Sequence, residues 1–168
     1  RGRRGSDLIA PSGARTLAHG FATFNRFLDG AQDVLGGLAE AFFERALTAA
    51  ERGSVFEDQY ICNAGQMHGL LTGRDRMVVD ARPYFRDRRG RPLAAAHPYD
   101  VLGALILEEA GCPVTSPDGA PFDPPLDVVS DVAWAAFANG ALARRYGPAL
   151  AAALAETNRR AVAPRLRR

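Results

Sequence analysis

The chain has no lysine: all 21 of its basic residues are arginine. Against 19 acidic residues this leaves a formal net charge of only +2. That balance excludes the one-signed surface expected of a dedicated nucleic-acid binder. The arginines gather at Arg1-Gly-Arg-Arg4, Arg86-Asp-Arg-Arg-Gly-Arg91 and Leu166-Arg-Arg168, with no aromatic residues interleaved. They read as solvated ends and a loop, and no nucleic-acid partner is expected. Arginine without lysine, together with abundant alanine, reflects GC-rich coding rather than function.

Cysteine is almost absent. Cys62 and Cys112 stand 50 positions apart with no Cys or His at metal-binding spacing, which excludes a zinc site of the usual kind. His19, His68 and His97 are scattered and form no HExxH pattern, and no Ser or Cys elbow motif accompanies them. Nucleophile-triad chemistry therefore has no support. No stretch of about 18 apolar residues and no charged-then-apolar start is present, so neither a membrane span nor a signal peptide is indicated. A cytoplasmic location with two reduced thiols is the expectation.

What is present fits one cored domain: 168 residues, 18.0 kDa and 47% hydrophobic residues. The reading places a single domain over residues 1–158 and an arginine-rich frayed tail over 159–168. The first residue is Arg1 rather than Met, as expected of a chain processed, excised or translated from part of a reading frame.

Periodicity gives the elements. Residues 7–11 read as a short strand entering a turn at Ser12-Gly13, and residues 16–28 fit helix or strand equally. Val34, Leu35, Leu38, Phe42, Ala46 and Ala49 recur every three to four positions and predict an amphipathic helix over 31–52. A strand at 55–61, a helix at 63–72 stopped by Gly73, and a strand at 76–82 follow. Residues 85–94, charged and carrying Gly and Pro, predict an exposed loop. Pro98 opens a further helix that Gly111 ends. Strands at 113–115 and 131–138 and a helix at 141–157 complete a layered α/β arrangement. The apolar Leu102, Leu105, Ile106 and Leu107 are expected to pack the 98–111 helix on the sheet.

The segment His97-Pro-Tyr-Asp100-Val-Leu-Gly-Ala-Leu-Ile-Leu-Glu-Glu-Ala-Gly111, followed by Pro113-Val-Thr-Ser-Pro-Asp-Gly119 and Pro121-Phe-Asp123, is the most specific in the chain. It resembles the C-terminal signature of the inositol monophosphatase family, in which an aromatic-Asp pair opens a helix ending in Glu-Ala-Gly. Tyr99 stands where Trp is usual. The resemblance extends from about residue 55 to 142 and implies the C-terminal half of the layered α-β sandwich of that family. By itself, Asp100 is either a charged helix end or a cation ligand. The resemblance makes it a ligand of a Mg²⁺ ion, a hard cation that takes carboxylate oxygens.

Upstream, Leu71-Thr-Gly-Arg-Asp-Arg-Met-Val-Val-Asp80 is similar to the family's strand finishing in a substrate-binding carboxylate, with Asp80 one methylene shorter than the usual Glu. Residues 81–96 form a longer insertion before the signature. Cys62-Asn63-Ala64-Gly65 occupies the place of the small-residue turn that lies against the substrate ring, although Asn63 or Gly65 serves equally as a helix cap. Ser12 resembles a polar turn near the substrate. The segments 118–123 and 136–142 match structural turns of the family.

The family's acidic-Pro-Ile/Leu-Asp-Gly-Thr/Ser motif, which supplies most metal ligands, is missing. Asp123-Pro-Pro-Leu-Asp127 has an extra Pro, lacks the Gly-Thr/Ser and falls after the signature, so it is taken as a decoy turn. The resemblance thus implies a metal-dependent phosphomonoesterase acting on a small phosphorylated substrate such as a sugar or inositol phosphate. This chain alone is expected to be inactive, and its Mg²⁺ site incomplete. No membrane partner is expected, and a homodimer is compatible with the family. Two other readings stay open: a non-catalytic binding or regulatory relative, and a structural or oligomerising α/β domain.

Overall fold

A computed structural model describes residues 9–26, 30–59 and 62–162. Among these residues five strands form one sheet: β1 (Gly20–Phe24), β2 (Val55–Phe56), β3 (Asp75–Asp80), β4 (Val114–Thr115) and β5 (Trp134–Phe137), in the order β2-β1-β3-β5-β4. β1 pairs in parallel with β2 and β3, whereas β5 runs antiparallel to both β3 and β4. The central strand β3, Asp-Arg-Met-Val-Val-Asp, is buried at five of its six positions, as a strand covered on both faces must be.

The described residues form five α-helices: α1 (Gln32–Ala46), α2 (Ala49–Arg52), α3 (Asn63–Leu71), α4 (Ala104–Glu109) and α5 (Gly140–Val162). The chain leaves β1 through α1 to reach β2 on one side, then returns through α3 to β3 on the other. Right-handed crossovers in opposite directions set α1 and α3 on opposite faces. α1 packs with α5, where the rings of Phe42 and Tyr146 lie 6.4 Å apart and Arg45 pairs with Glu156. The Tyr146 hydroxyl accepts the Leu17 N–H at 3.2 Å. α3 lies against β3, and α4 against α3 and β4.

Several expectations are met. The ambiguous 16–28 segment is a strand at Gly20–Phe24, and Gly73 stops α3 with φ 76°, a conformation that a side chain rarely adopts. Others require correction. The 31–52 helix is two helices, because Leu47 is extended and Thr48 starts α2. Thr48 Oγ1 accepts the Glu51 N–H and the Glu51 carboxylate accepts the Thr48 N–H at 2.9 Å. This capping box stops the longer helix and starts the shorter one.

The strand expected at 7–11 is not one at residues 9–11, which are irregular; positions 7 and 8 lie outside the described residues. The strand expected at 55–61 is confined to Val55–Phe56, with 60 and 61 outside the described residues. The loop at 85–94 is not wholly exposed, since Phe85 and Leu93 are buried and Arg86 bridges Pro92. The final helix continues through Val162, into the segment expected as a tail; residues 163–168 and the Arg1–Arg4 cluster lie outside the described residues.

The largest departure concerns the 98–111 helix. It is a 3₁₀ turn, Pro98–Val101, followed by the short α4. Pro98, Val101, Ala104 and Leu107 turn inward, whereas Leu102 is 73% exposed, Leu105 64% and Ile106 50%. Positions 101, 104 and 107 follow one another every three residues and form the buried stripe; 102, 105 and 106 share the opposite face.

A candidate ligand site at the carboxyl edge of the sheet

In an open α/β sheet the strands deliver their following loops to the carboxyl edge, where ligands bind. Here that edge is polar. β1 ends beside Asn25, whose side chain and that of Gln66 on α3 exchange amide hydrogen bonds of 3.3 and 2.5 Å while both are buried. β3 ends at Asp80, fully buried. β5, antiparallel, starts at the same edge with Trp134 directly opposite Asp80.

Asp80 is paired within the chain. Arg82 lies two residues on, in a 3₁₀ turn that starts as β3 ends. Its Nε donates to Asp80 Oδ1 at 2.7 Å and its Nη2 to Oδ2 at 2.5 Å, while its backbone N–H also reaches Oδ1 at 3.2 Å. Both side chains are buried. Such a bidentate pair is geometrically specific and locks both groups. Its electrostatic consequence is that the strand end presents a neutralised carboxylate, so an anionic ligand nearby meets no bare negative charge.

Asn63 takes the first helical position of α3, and Cys62, extended, is the cap residue. Neither Asn63 nor Gly65 therefore caps the helix. The Asn63 side-chain oxygen accepts the Trp134 indole N–H at 3.2 Å. Trp134 thus joins the start of α3 to the strand pair that carries Asp80. Ala64 and Gly65 follow in the first turn of α3, with Ala64 exposed.

Asp100 sits in the 3₁₀ turn before α4, where its Oδ2 accepts the His97 N–H at 2.9 Å and the His97 ring stacks on Tyr99. It caps its own turn, as one of its two expected roles requires. It also lines a cleft of about 270 Å³ between α3 and α4, together with Ala64, Met67, His68, Tyr99 and Ile106. The structure therefore brings Ala64 and Asp100 to one cleft, and sets Asn63, by a hydrogen bond, and Asp80, by strand pairing, on either side of Trp134.

Ser12 is elsewhere. Its carbonyl accepts Asn139 Nδ2 at 2.7 Å, and Asn139 follows the far end of β5, next to the start of β3. The turn lies at the amino edge of β3, across the sheet from Asp80 and Asp100. Asn139 also accepts the N–H groups of Ala141 and Leu142 at 2.9 and 3.0 Å, which fixes the entry to α5.

A second cleft, about 320 Å³, opens beyond Arg82 and is lined by Tyr84, Ser116, Phe122, Asp123 and Asp131 among others. Tyr84 and Ser116 hydroxyls are 2.9 Å apart, and burial pushes the Tyr84 phenol above its ordinary value. Asp123, from the decoy turn, lines this cleft. Sequence reasoning missed Arg82, Trp134 and Tyr84. The one local sign was the Asp-x-Arg spacing at 80–82, too common to single out. Trp134 is brought to Asp80 only by strand pairing.

No group of three or more Asp, Glu, His or Cys able to hold a metal ion exists among the described residues. Mg²⁺ takes about six oxygen ligands, and Asp100 alone does not make such a site. The donor set among the described residues thus does not by itself fit the ion that the resemblance implies.

A mixed sheet with helices packed on it and polar groups collected at its carboxyl edge defines a layered α/β domain. Among solved structures, the IMPase of Thermotoga maritima matches with a TM-score of 0.56 at 17% identity, covering 94% of this chain and 48% of its own. The extragenic suppressor protein suhB of Bartonella henselae matches with a TM-score of 0.54 at 17% identity, covering 84% and 46%. The inositol monophosphatase of Anabaena gives 0.50 at 18% identity, covering 88% and 48%. The fold is that of inositol monophosphatases, and the chain spans about half the length of these structures. No protein-family model and no curated protein matches the sequence. No helix among the described residues is long and apolar enough to cross a membrane.

Proposed function

We propose that this chain is the C-terminal half of a metal-dependent phosphomonoesterase of the inositol monophosphatase kind. The observation that carries the reading is the meeting of Ala64 and Asp100 in one cleft of a chain whose fold matches inositol monophosphatases over 94% of its length. In this reading the chain contributes one carboxylate, Asp100, to a Mg²⁺ centre whose other ligands come from outside it. The start of α3 offers exposed backbone around Ala64 to a small phosphorylated substrate. The Asp80–Arg82 pair, being neutralised, sets the shape of the edge without repelling a phosphate.

The chain alone is expected to hydrolyse no phosphate ester, since one carboxylate holds Mg²⁺ weakly. The test joins the chain to the segment encoded in frame upstream and measures Mg²⁺-dependent release of phosphate from inositol and sugar monophosphates. Hydrolysis that disappears in Asp100→Ala supports the reading. Full activity in that variant removes Asp100 from the metal centre. A non-catalytic relative is the second reading, favoured by the missing cluster of metal-binding side chains among the described residues. It gains if the extended protein binds a phosphate ester without turning it over.

A further inference from the structure

The cleft beyond Arg82, about 320 Å³, shares no lining residue with the Asp100 cleft and is the larger of the two. Its size is that of a small-molecule site. Its walls are fixed by the fold. Pro83 and Tyr84 belong to the 3₁₀ turn of Arg82, within the insertion at 81–96. One side is held at Pro121 by the Thr115–Pro121 bridge, and the opposite side at Val132 by the Ala96–Val132 bridge. Four of the eleven lining residues are proline. Proline has a fixed φ, so these walls have little backbone freedom left to lose when a ligand binds.

Donors and acceptors decide what such a cleft recognises. The prolines have no N–H to offer. The N–H groups of Tyr84, Ser116 and Val132 are already given to the carbonyls of Ala81, Ala120 and Ala96, at 3.1, 2.9 and 2.8 Å. No Arg or His lines the cleft. Asp123 and Asp131 both line it and are exposed, and neither is paired among the described residues. The hydroxyls of Tyr84 and Ser116 bond each other, and Asp118 adds a third negative charge behind them. The cleft is therefore rich in acceptors and poor in donors. An anion meets no countercharge there, whereas a cation meets two carboxylates.

We propose that this cleft binds a small alkylguanidinium compound, its head on Asp123 and Asp131 and its alkyl body against Tyr84, Phe122 and the prolines. A guanidinium suits these walls better than an ammonium. It is planar, more weakly hydrated and able to lie on an aromatic face while its N–H groups reach carboxylates. The proposal is independent of the phosphatase reading, since this ligand has the opposite charge to a phosphate ester. An occupant would touch the turn that carries Arg82, and through it the partner of Asp80.

The experiment titrates the full chain with n-butylguanidinium and, separately, with n-butylurea, its uncharged isostere, by calorimetry and by amide NMR shifts at low salt. The cation is expected to bind 1:1 with a Kd of about 1 mM, as a ligand of so few atoms permits. The shifts should centre on Tyr84, Ser116, Phe122 and Ala133. The urea should bind several-fold more weakly. Asp123→Asn/Asp131→Asn, at two exposed positions, should keep the parent melting temperature and weaken the cation about threefold to tenfold, as for two partly exposed ion pairs. Lack of saturation at about 20 mM overturns the proposal. Equal affinity for the urea also overturns it, since the cleft would then be merely apolar. So does unchanged affinity in the double variant, or a set of shifts centred on the Asp100 cleft. Inorganic phosphate that shifts the same amides as strongly would show an anion site and overturn it too.

Discussion

Asp80 and Arg82, two residues apart at the end of the central strand, bind each other through two parallel hydrogen bonds of 2.7 and 2.5 Å in the interior of the protein. The pair closes the carboxyl edge of β3 and decides what that edge offers a ligand. The carboxylate that the family resemblance assigns to substrate hydroxyls anchors a guanidinium of its own chain.

Breaking this pair is costly because each partner leaves the other charge buried. Asp80→Ala is expected to destabilise the chain by about 3–5 kcal/mol. Arg82→Ala should cost a comparable amount, and the double variant far less than the sum of the two. Urea unfolding of the three variants measures the coupling; additive losses would show that the two side chains act independently.

The two faces of α4 should respond in opposite ways. Leu107→Ala opens a cavity in the core and is expected to cost about 2–5 kcal/mol. Leu105→Ala, on a side chain 64% exposed, should change stability by no more than about 0.5 kcal/mol. A large loss at Leu105 in the isolated chain would mean that its surface is already covered, for instance by self-association.

The cysteines differ in reactivity for a physical reason. Burial pushes the Cys112 thiol up to about 11, and its Sγ lies 3.5 Å from the Ala138 carbonyl. Cys62 is exposed at the cap of α3. One thiol should therefore react promptly with a disulfide reagent near neutral pH, and Cys62→Ser should abolish that phase. Cys112 should react only on unfolding. Two equally fast thiols would contradict this packing.

Burial also raises the Glu57 carboxyl above its ordinary value of 4.5, against the pull of Arg26. A carboxyl whose folded value is raised contributes stability that is fully present below the unfolded value and is lost as pH rises through the folded one. Glu57→Gln carries no such titration. Its stability relative to the parent chain is expected to rise with pH across the carboxyl range, as measured by urea unfolding at about pH 4 and about pH 7. A difference that does not change with pH would show that Glu57 is not buried as described.

Local signals determined much of the chain. The apolar spacing from Val34 to Phe42 made α1, Gly73 ended α3, and the apolar run Met77-Val78-Val79 made the central strand, because these depend on neighbours within a turn or two. Even the break between α1 and α2 was written in Thr48-Ala-Ala-Glu51, a short-range capping pattern. The signature around Asp100 pointed to the fold that the solved structures share. Three things only the tertiary structure decided. Strand pairing, across 54 residues, set Trp134 against Asp80 and tied it to Asn63. The path of the chain sent Ser12 to the amino edge of β3, away from the cleft that Ala64 and Asp100 share. The layering of α4 on α3 and β4 chose which of its apolar side chains to bury, leaving Leu102, Leu105 and Ile106 outside. A sequence shows that a side chain is apolar; only the elements packed around it determine whether it has a partner.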